Sequence, residues 1–188
     1  MINQEEIKTA IASIIKAIGD NPDREGLKGT PQRVAEMYSE LFMGLSMNPK
    51  EDLSVGFEEG HREMVILRDI PFYSMCEHHL LPFYGVVHVG YVPNETGRVV
   101  GASKLARVVE IFAKRLQIQE RMTTQIADAI VSGLKPDGVG VIVQAEHLCM
   151  IMRGIKKPGS AIVTSALRGS FRSRTKTRAE FFSLLQGK

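Results

Sequence analysis

Residues 103–134 read SKLARVVEIFAKRLQIQERMTTQIADAIVSGL, and the spacing of their apolar positions decides the fold class. Leu105, Val108, Phe112 and Leu116 recur at three- and four-residue steps behind Ser103, whose hydroxyl suits a helix cap. Met122, Ile126 and Ile130 repeat the pattern from about residue 120 to 134, and Pro136-Asp137-Gly138 stops it. Two amphipathic helices therefore follow one another directly. On either side lie segments rich in β-branched and aromatic residues, 64–70 and 84–92 before the pair, 139–152 and 161–165 after it. A short helix over 177–185 closes the chain. Strands that come in groups, rather than alternating singly with helices, mark an α+β fold with antiparallel strand groups.

Upstream of the strands the chain reads as helical. Ile7, Ile11, Ile14, Ile15 and Ile18 form one stripe, and Asn3 with Glu6 resembles a capping box. Gly19-Asp20-Asn21-Pro22 ends that helix. A second opens at Thr30-Pro31, a capping hydroxyl before a proline at the first helical position, and carries Val34, Met37, Leu41 and Phe42 inward. Residues 48–62 read as a connecting loop. The expected organisation is a helical segment over 1–62 joined to a catalytic region over 63–188, one functional domain in all.

The 188 residues are 44% apolar and 24% charged, with a net charge of +3, which excludes disordered and fibrous classes. No apolar run approaches the roughly 18 residues that span a bilayer. MINQEEIKTA carries acids where an export signal carries basic residues, so a cytoplasmic protein without membrane attachment is expected. In that compartment Cys76 and Cys149 are expected as reduced thiols, either buried or binding a metal. Arg168, Arg172, Arg174, Lys176 and Arg178 form a basic run, but Phe171 is its only stacking aromatic. A solvated or subunit-facing surface is the simpler reading, and no nucleic-acid partner is expected.

Both cysteines stand beside histidines, in Cys76-Glu77-His78-His79 and in His147-Leu148-Cys149. Thiolate and imidazole are the donors zinc prefers. If 139–152 is one strand, His147 and Cys149 share a face, with Arg153 further along it. Five donors are on hand. A closed structural site uses four, whereas a catalytic site uses three and keeps one position for water. Neighbours such as His78 and His79 seldom reach one ion together. Cys76, His79 and Cys149 are the economical ligand set, leaving His78 and His147 to move protons near neutral pH. A closed, non-catalytic zinc module completed by His78 or His147 is the alternative on these residues.

Across nearly its whole length the chain resembles the GTP cyclohydrolase I family. The likeness rests on Ser74-Met75-Cys76-Glu77-His78-His79-Leu80, Ser103-Lys104-Leu105-Ala106-Arg107 and Gln117-Ile118-Gln119-Glu120-Arg121. His147-Leu148-Cys149-Met150 with Met152-Arg153-Gly154, and Val163-Thr164-Ser165, continue it, and Arg24-Glu25-Gly26-Leu27 with Thr30-Pro31-Gln32-Arg33 extend it to the helical start. The resemblance implies a tunnelling fold, an antiparallel sheet with two antiparallel helices on one face. It implies zinc on Cys76, His79 and Cys149, with His78 and His147 as catalytic imidazoles, one of which protonates N7. The substrate implied is GTP, its guanine held by Glu120 with Gln119 beside the base. Its triphosphate would be held by Ser103, Lys104, Arg107 and Arg153, and Arg33 would reach a neighbouring subunit's phosphates. The implied reaction opens the imidazole ring at C8 by hydrolysis, releases formate, rearranges the ribose and closes 7,8-dihydroneopterin triphosphate. A homo-oligomer, a decamer of stacked pentamers with sites between subunits, is implied as well.

Taken singly, these residues have plainer roles: Lys104 and Arg107 as one solvated helix face, Glu120 as a first-turn acid, Ser103 as a cap. Three positions depart from the family pattern. Glu36 stands where some relatives carry a basic contact, Gln144 replaces an acid, and Ala102 replaces a larger apolar residue. None is a metal ligand or the guanine carboxylate. Another tunnelling-fold pterin or deazaguanine enzyme would lack the paired Cys-x-x-His and His-x-Cys arrangement. A zinc nucleobase deaminase would need a Pro-Cys-x-x-Cys signature that is missing here.

Overall fold

Alternation along three long strands sets the architecture. The computed structural model describes residues 2–186. Helices α1 (Gln4–Ala17) and α2 (Thr30–Leu41) pack on each other, and a 3₁₀ turn (Met43–Ser46) leads to α3 (Pro49–Leu53) and β1 (Phe57–Glu58). Then come β2 (Val65–Cys76), β3 (Pro82–Val92), β4 (Arg98–Val99) and α4 (Ala102–Ala113). The chain continues through β5 (Leu116–Gln117), α5 (Gln119–Leu134), β6 (Gly138–His147) and α6 (Leu148–Ile151). It ends with β7 (Ile162–Gly169), α7 (Ser170–Ser173) and α8 (Thr175–Gln186).

The main sheet has the order β5-β2-β3-β6-β7, and β1 pairs with β4 in a small separate ribbon. This is the expected α+β class, with one difference. The sheet is mixed, because β5 runs parallel to β2 through Met75↔Leu116 and Cys76↔Gln117. Every other neighbouring pair in it is antiparallel. Leu116, expected inside the first helix of the pair, lies on this edge strand instead.

One face of the sheet is closed by the helix pair. Val139, Val141, Val143, Ala145 and His147 alternate inward along β6, opposite Val87, Val89 and Tyr91 of β3. Leu105, Val108, Val109, Phe112, Met122, Ile126 and Ile130 meet them from α4 and α5 in one continuous core. Removing that much branched apolar surface from water supplies the main stabilisation, at about 25 cal/mol per Å². Helix α4 starts where the Val100 N–H donates to the Tyr91 hydroxyl, and it ends where Gln117 Nε2 donates to the Phe112 carbonyl beside Cys76. Helix α5 starts there and returns to the far end, where the Asp137 N–H donates to the Val92 carbonyl. On the sheet's second face, Phe171 and Phe181 pack T-shaped at 5.1 Å over Gly90 and Gly140. A Cβ at either glycine would come within 2.6 Å of a ring carbon, so these strand positions admit no side chain.

Strand β2 contains a bulge. Leu67 pairs with Val89 and Ile70 with Val87, so Arg68 and Asp69 together face His88. Asp69 takes a left-handed φ of 58°, and its N–H donates to His88 Nδ1 at 3.1 Å. The extra residue reverses the strand's parity. Val65 and Leu67 face the core before it, and Ile70, Phe72 and Cys76 face the same core after it.

Several local expectations are corrected. Residues 48–62 are not all loop, since α3 and β1 form within them. The caps at the two expected hydroxyls are glycines, Gly29 before α2 and Gly101 before α4. Thr30 is already inside the helix and accepts from Arg33 Nη2 at 3.1 Å. Asn3 does cap α1, its Oδ1 accepting the Glu6 N–H at 3.2 Å. Residues 139–152 are not one strand, because β6 stops at His147 and a helical turn takes over.

Candidate metal centre

The ends of β2, β3 and β6 meet where α5 begins. Phe83 pairs with His147 across β3 and β6, and their rings stack at 4.5 Å with an interplanar angle of 5°. Cys76 is the last residue of β2. The turn beyond it closes on Cys76 N–H to Leu81 carbonyl and Leu80 N–H to Cys76 carbonyl bonds, both 2.9 Å, with Leu80 left-handed at φ 52°. That turn carries His78 and His79. On the other side Cys149 sits in α6, two residues after His147, so its approach comes from the helical turn and not from a shared strand face.

The donor atoms of Cys76, His79 and Cys149 all lie within 4.8 Å of one another, and Cys76 Sγ is 3.9 Å from His79 Nδ1. Tetrahedral zinc with bonds of about 2.3 Å to sulfur and 2.0–2.1 Å to nitrogen sets its donors about 3.6–3.8 Å apart. A small inward movement of each side chain therefore reaches one ion, and two sulfurs with one imidazole nitrogen suit a borderline-soft divalent metal. Among the described residues no fourth His, Cys, Asp or Glu joins the cluster. Burial, then the adjacent Cys76, pushes the Cys149 thiol up, with Arg153 acting weakly the other way. Two thiolates side by side need a cation to stabilise them, which a bound metal provides.

His147 is 8% exposed and stands beside this cluster without belonging to it. Its Nε2 is 2.8 Å from Gln119 Oε1. Gln119 is 1% exposed, and its Nε2 donates to the carbonyls of Val143 and Ile162, both at 3.0 Å, and to Thr164 Oγ1 at 3.1 Å. Carbonyls only accept, so the amide nitrogen must face them and Oε1 must face the imidazole. His147 therefore carries its proton on Nε2 and keeps the Nδ1 lone pair. Thr123 closes the circuit, donating to the Gln119 carbonyl at 2.7 Å and lying 2.7 Å from Thr164 Oγ1. Since Thr123 has one proton to give, Thr164 donates to it. Burial holds the His147 pKa below its usual value, opposed by nearby Glu120.

The other sequence-predicted residues divide into two groups. Glu120 is exposed in the first turn of α5 next to His147, Arg153 lies just beyond α6 near Cys149, and His78 is exposed on the turn. Gln119 is buried, with its side-chain amide committed to the network just described. Ser103 and Lys104 open α4 at the opposite end of the helix pair, Arg107 lies near the middle of α4, and Arg33 is exposed on α2. Lys104 Nζ and Arg107 Nη1 each lie 3.3 Å from one oxygen of Asp52 in α3. Within one chain, then, the residues expected to hold a metal and guanine come together and the α4 cations do not join them.

Reading the sequence had missed roles for Phe83, Thr123, Thr164, Asp52 and the Glu77–Arg121 pair. Phe83 meets His147 only through strand register, and Thr164 meets Gln119 across an interlayer gap, neither of which leaves a local signature. Arg121 donates from both guanidinium nitrogens to the two oxygens of Glu77, one bond at 2.9 Å, and holds that carboxyl below its usual range.

Two thiols and an imidazole at the end of a mixed sheet, with a second imidazole held in a fixed tautomer beside them, define a candidate metalloenzyme centre. The family model described as GTP cyclohydrolase I matches residues 7–186. GTP cyclohydrolase 1 of Dehalococcoides mccartyi is 68% identical over 188 residues, covering all of both chains. That of Pelotomaculum thermopropionicum is 61% identical over 187 residues, covering 100% of this chain and 99% of its own. The chain belongs to the GTP cyclohydrolase I family. Among solved structures, archaeosine synthase QueF-Like in the apo form is 19% identical, with a TM-score of 0.45. It covers 56% of this chain and 93% of that one. No helix among the described residues is long and apolar enough to cross a membrane.

Proposed function

We propose that the chain is a zinc-dependent GTP cyclohydrolase that opens the imidazole ring of GTP at C8, releases formate and yields 7,8-dihydroneopterin triphosphate. The observation that carries this reading is the convergence of Cys76, His79 and Cys149 within 4.8 Å, beside an oriented His147 and the exposed Glu120 carboxylate. When bound, the metal supplies Lewis-acid activation for hydrolysis at C8. Glu120 accepts from N1–H and the exocyclic amine of guanine, a pair of donors that adenine does not offer. His147, neutral near pH 7 and fixed by Gln119 and Phe83, presents Nδ1 to take up and return a proton as the ring opens. His78, exposed on the metal turn, serves the second proton transfer. Arg153 faces the phosphates, and cations with bidentate geometry suit them.

The five-stranded sheet with α4 and α5 antiparallel on one face supports the tunnelling fold. Residues 1–62 form its helical appendage and 63–188 its catalytic region. Along α4 Ser103 and Lys104 stand roughly 14–15 Å, and Arg107 about 9 Å, from the Ala113 end that lies by the start of α5, at 1.5 Å per residue. That separation supports a site completed by a second copy, whose α4 would meet the triphosphate, with Arg33 reaching another's phosphates; a homodecamer fits this need. A cytoplasmic setting, which keeps both thiols reduced, suits the cluster.

Zinc-loaded protein incubated with GTP will release formate, and the product will fluoresce after oxidation. Absence of formate at stoichiometric enzyme overturns the reading. Glu120→Ala will lower kcat/KM for GTP about 100-fold, as expected for losing a charged acceptor of two hydrogen bonds, each worth about 1.5–3 kcal/mol. An unchanged preference for GTP over ATP in that variant would return Glu120 to a helix-end role.

A further inference from the structure

Arg121 stands in the first turn of α5, where the helix dipole disfavours a cation, and the cap residue Ile118 makes no side-chain cap bond. Helix stability therefore gives no reason for arginine here. Its guanidinium instead forms the two-bond pair with Glu77, the residue that follows ligand Cys76. Among the described residues no other side-chain hydrogen bond joins the turn over 77–81 to α5. The backbone contributes one tie nearby, the Glu77 N–H to the Gln117 carbonyl at 3.0 Å, and the remaining bonds of the turn close on Cys76 itself or Leu81. A planar fork engaging both carboxylate oxygens fixes direction as well as distance, which a single ammonium contact does not.

We propose that Glu77 and Arg121 are a positioning pair, whose ion pair fixes the metal-bearing turn against the first turn of α5 and so sets the separation between the metal and Glu120. This rests on the cyclohydrolase reading, in which guanine is held on α5 while its C8 is attacked at the metal. Neither residue touches substrate. Both act through the geometry of His78, His79 and Glu120, where a displacement of about 1 Å costs on the order of 100-fold in rate.

The test uses zinc-loaded Arg121→Ala, Glu77→Gln, the double variant and Arg121→Lys. Each single variant is expected to keep one metal per chain, to hold KM for GTP within about twofold and to lower kcat at least about tenfold. The double variant is expected to be no slower than the worse single, as partners in one interaction require. Arg121→Lys is expected to recover part of kcat. Amide exchange at His79 and Leu80 reads the same pair without turnover, and Arg121→Ala is expected to speed it about tenfold while Ile126 and Ile130 stay protected. Unchanged kcat, unchanged exchange, loss of metal or additive single effects would each overturn the proposal. Formate release by the unsubstituted protein tests the cyclohydrolase reading separately, so failure of one is not mistaken for failure of the other.

Discussion

Cys149→Ala protein will purify with less than about a tenth of a metal equivalent per chain and will release no formate above background, while its far-ultraviolet circular dichroism stays unchanged. The zinc site proposed above rests on three protein donors, and two do not hold an ion against dilution and competing thiols. Cys149 is half-buried in the four-residue α6, at the margin of the core and not within it, so truncation leaves the sheet and the α4–α5 layer intact. The loss of activity is therefore expected to track metal content. Cys76→Ser should behave alike, although Cys76 is 5% exposed and packs in the core, which adds a stability cost that Cys149 escapes. A full equivalent of tightly held metal in Cys149→Ala would show that the three side chains are not the ligand set. Normal formate release without metal would remove zinc from the reaction altogether.

Replacing His147 gives the second large effect, opposite in pattern. The metal stays, and formate release falls by about 10²–10⁴-fold, the range for a lost acid–base group. The choice of residue matters, because alanine would leave Gln119 Oε1 buried without a donor, at about 1–3 kcal/mol. It would also empty the space stacked on Phe83. His147→Gln keeps an amide donor at about the reach of Nε2 for Gln119 and removes the titratable ring. Full metal content with a large drop in kcat in both variants is the expected result. Retained turnover in His147→Gln would mean that hydrogen bonding to Gln119, not proton transfer, is what the position contributes. Loss of metal in either would place His147 among the ligands.

Much of this site was legible before any coordinates. The i, i+3 stripe through Leu105, Val108 and Phe112 and the one through Met122, Ile126 and Ile130 are long enough for helical periodicity to dominate, and both helices form. The thiol and imidazole pairs announced their chemistry through donor type, which does not depend on fold. What escaped depends on pairing across the chain. Leu116 and Gln117 are too few to show alternation, yet as β5 they bring the start of α5 to Cys76. The strand expected over 64–70 runs on, since β2 spans Val65–Cys76 through the bulge and Pro71. His147 and Cys149 were expected on one strand face, and the chain instead turns between them. Gln119, expected beside the base, has an enclosed side chain that grips His147 from behind, a contact that leaves no local signature.

The odd residue beside His88 has a reach that extends seven positions down the chain. Because Arg68 and Asp69 share one partner, the thiol of Cys76 faces inward; were the same residues paired one-to-one from Leu67 onward, Tyr73 and Met75 would turn to the helices and that sulfur would leave on the far side. Strand β2 can thus vary in spelling much more freely than in length. A single-codon deletion between Ile70 and Met75, with the bulge kept, would turn that thiol away from the centre with every one of its donor side chains still encoded.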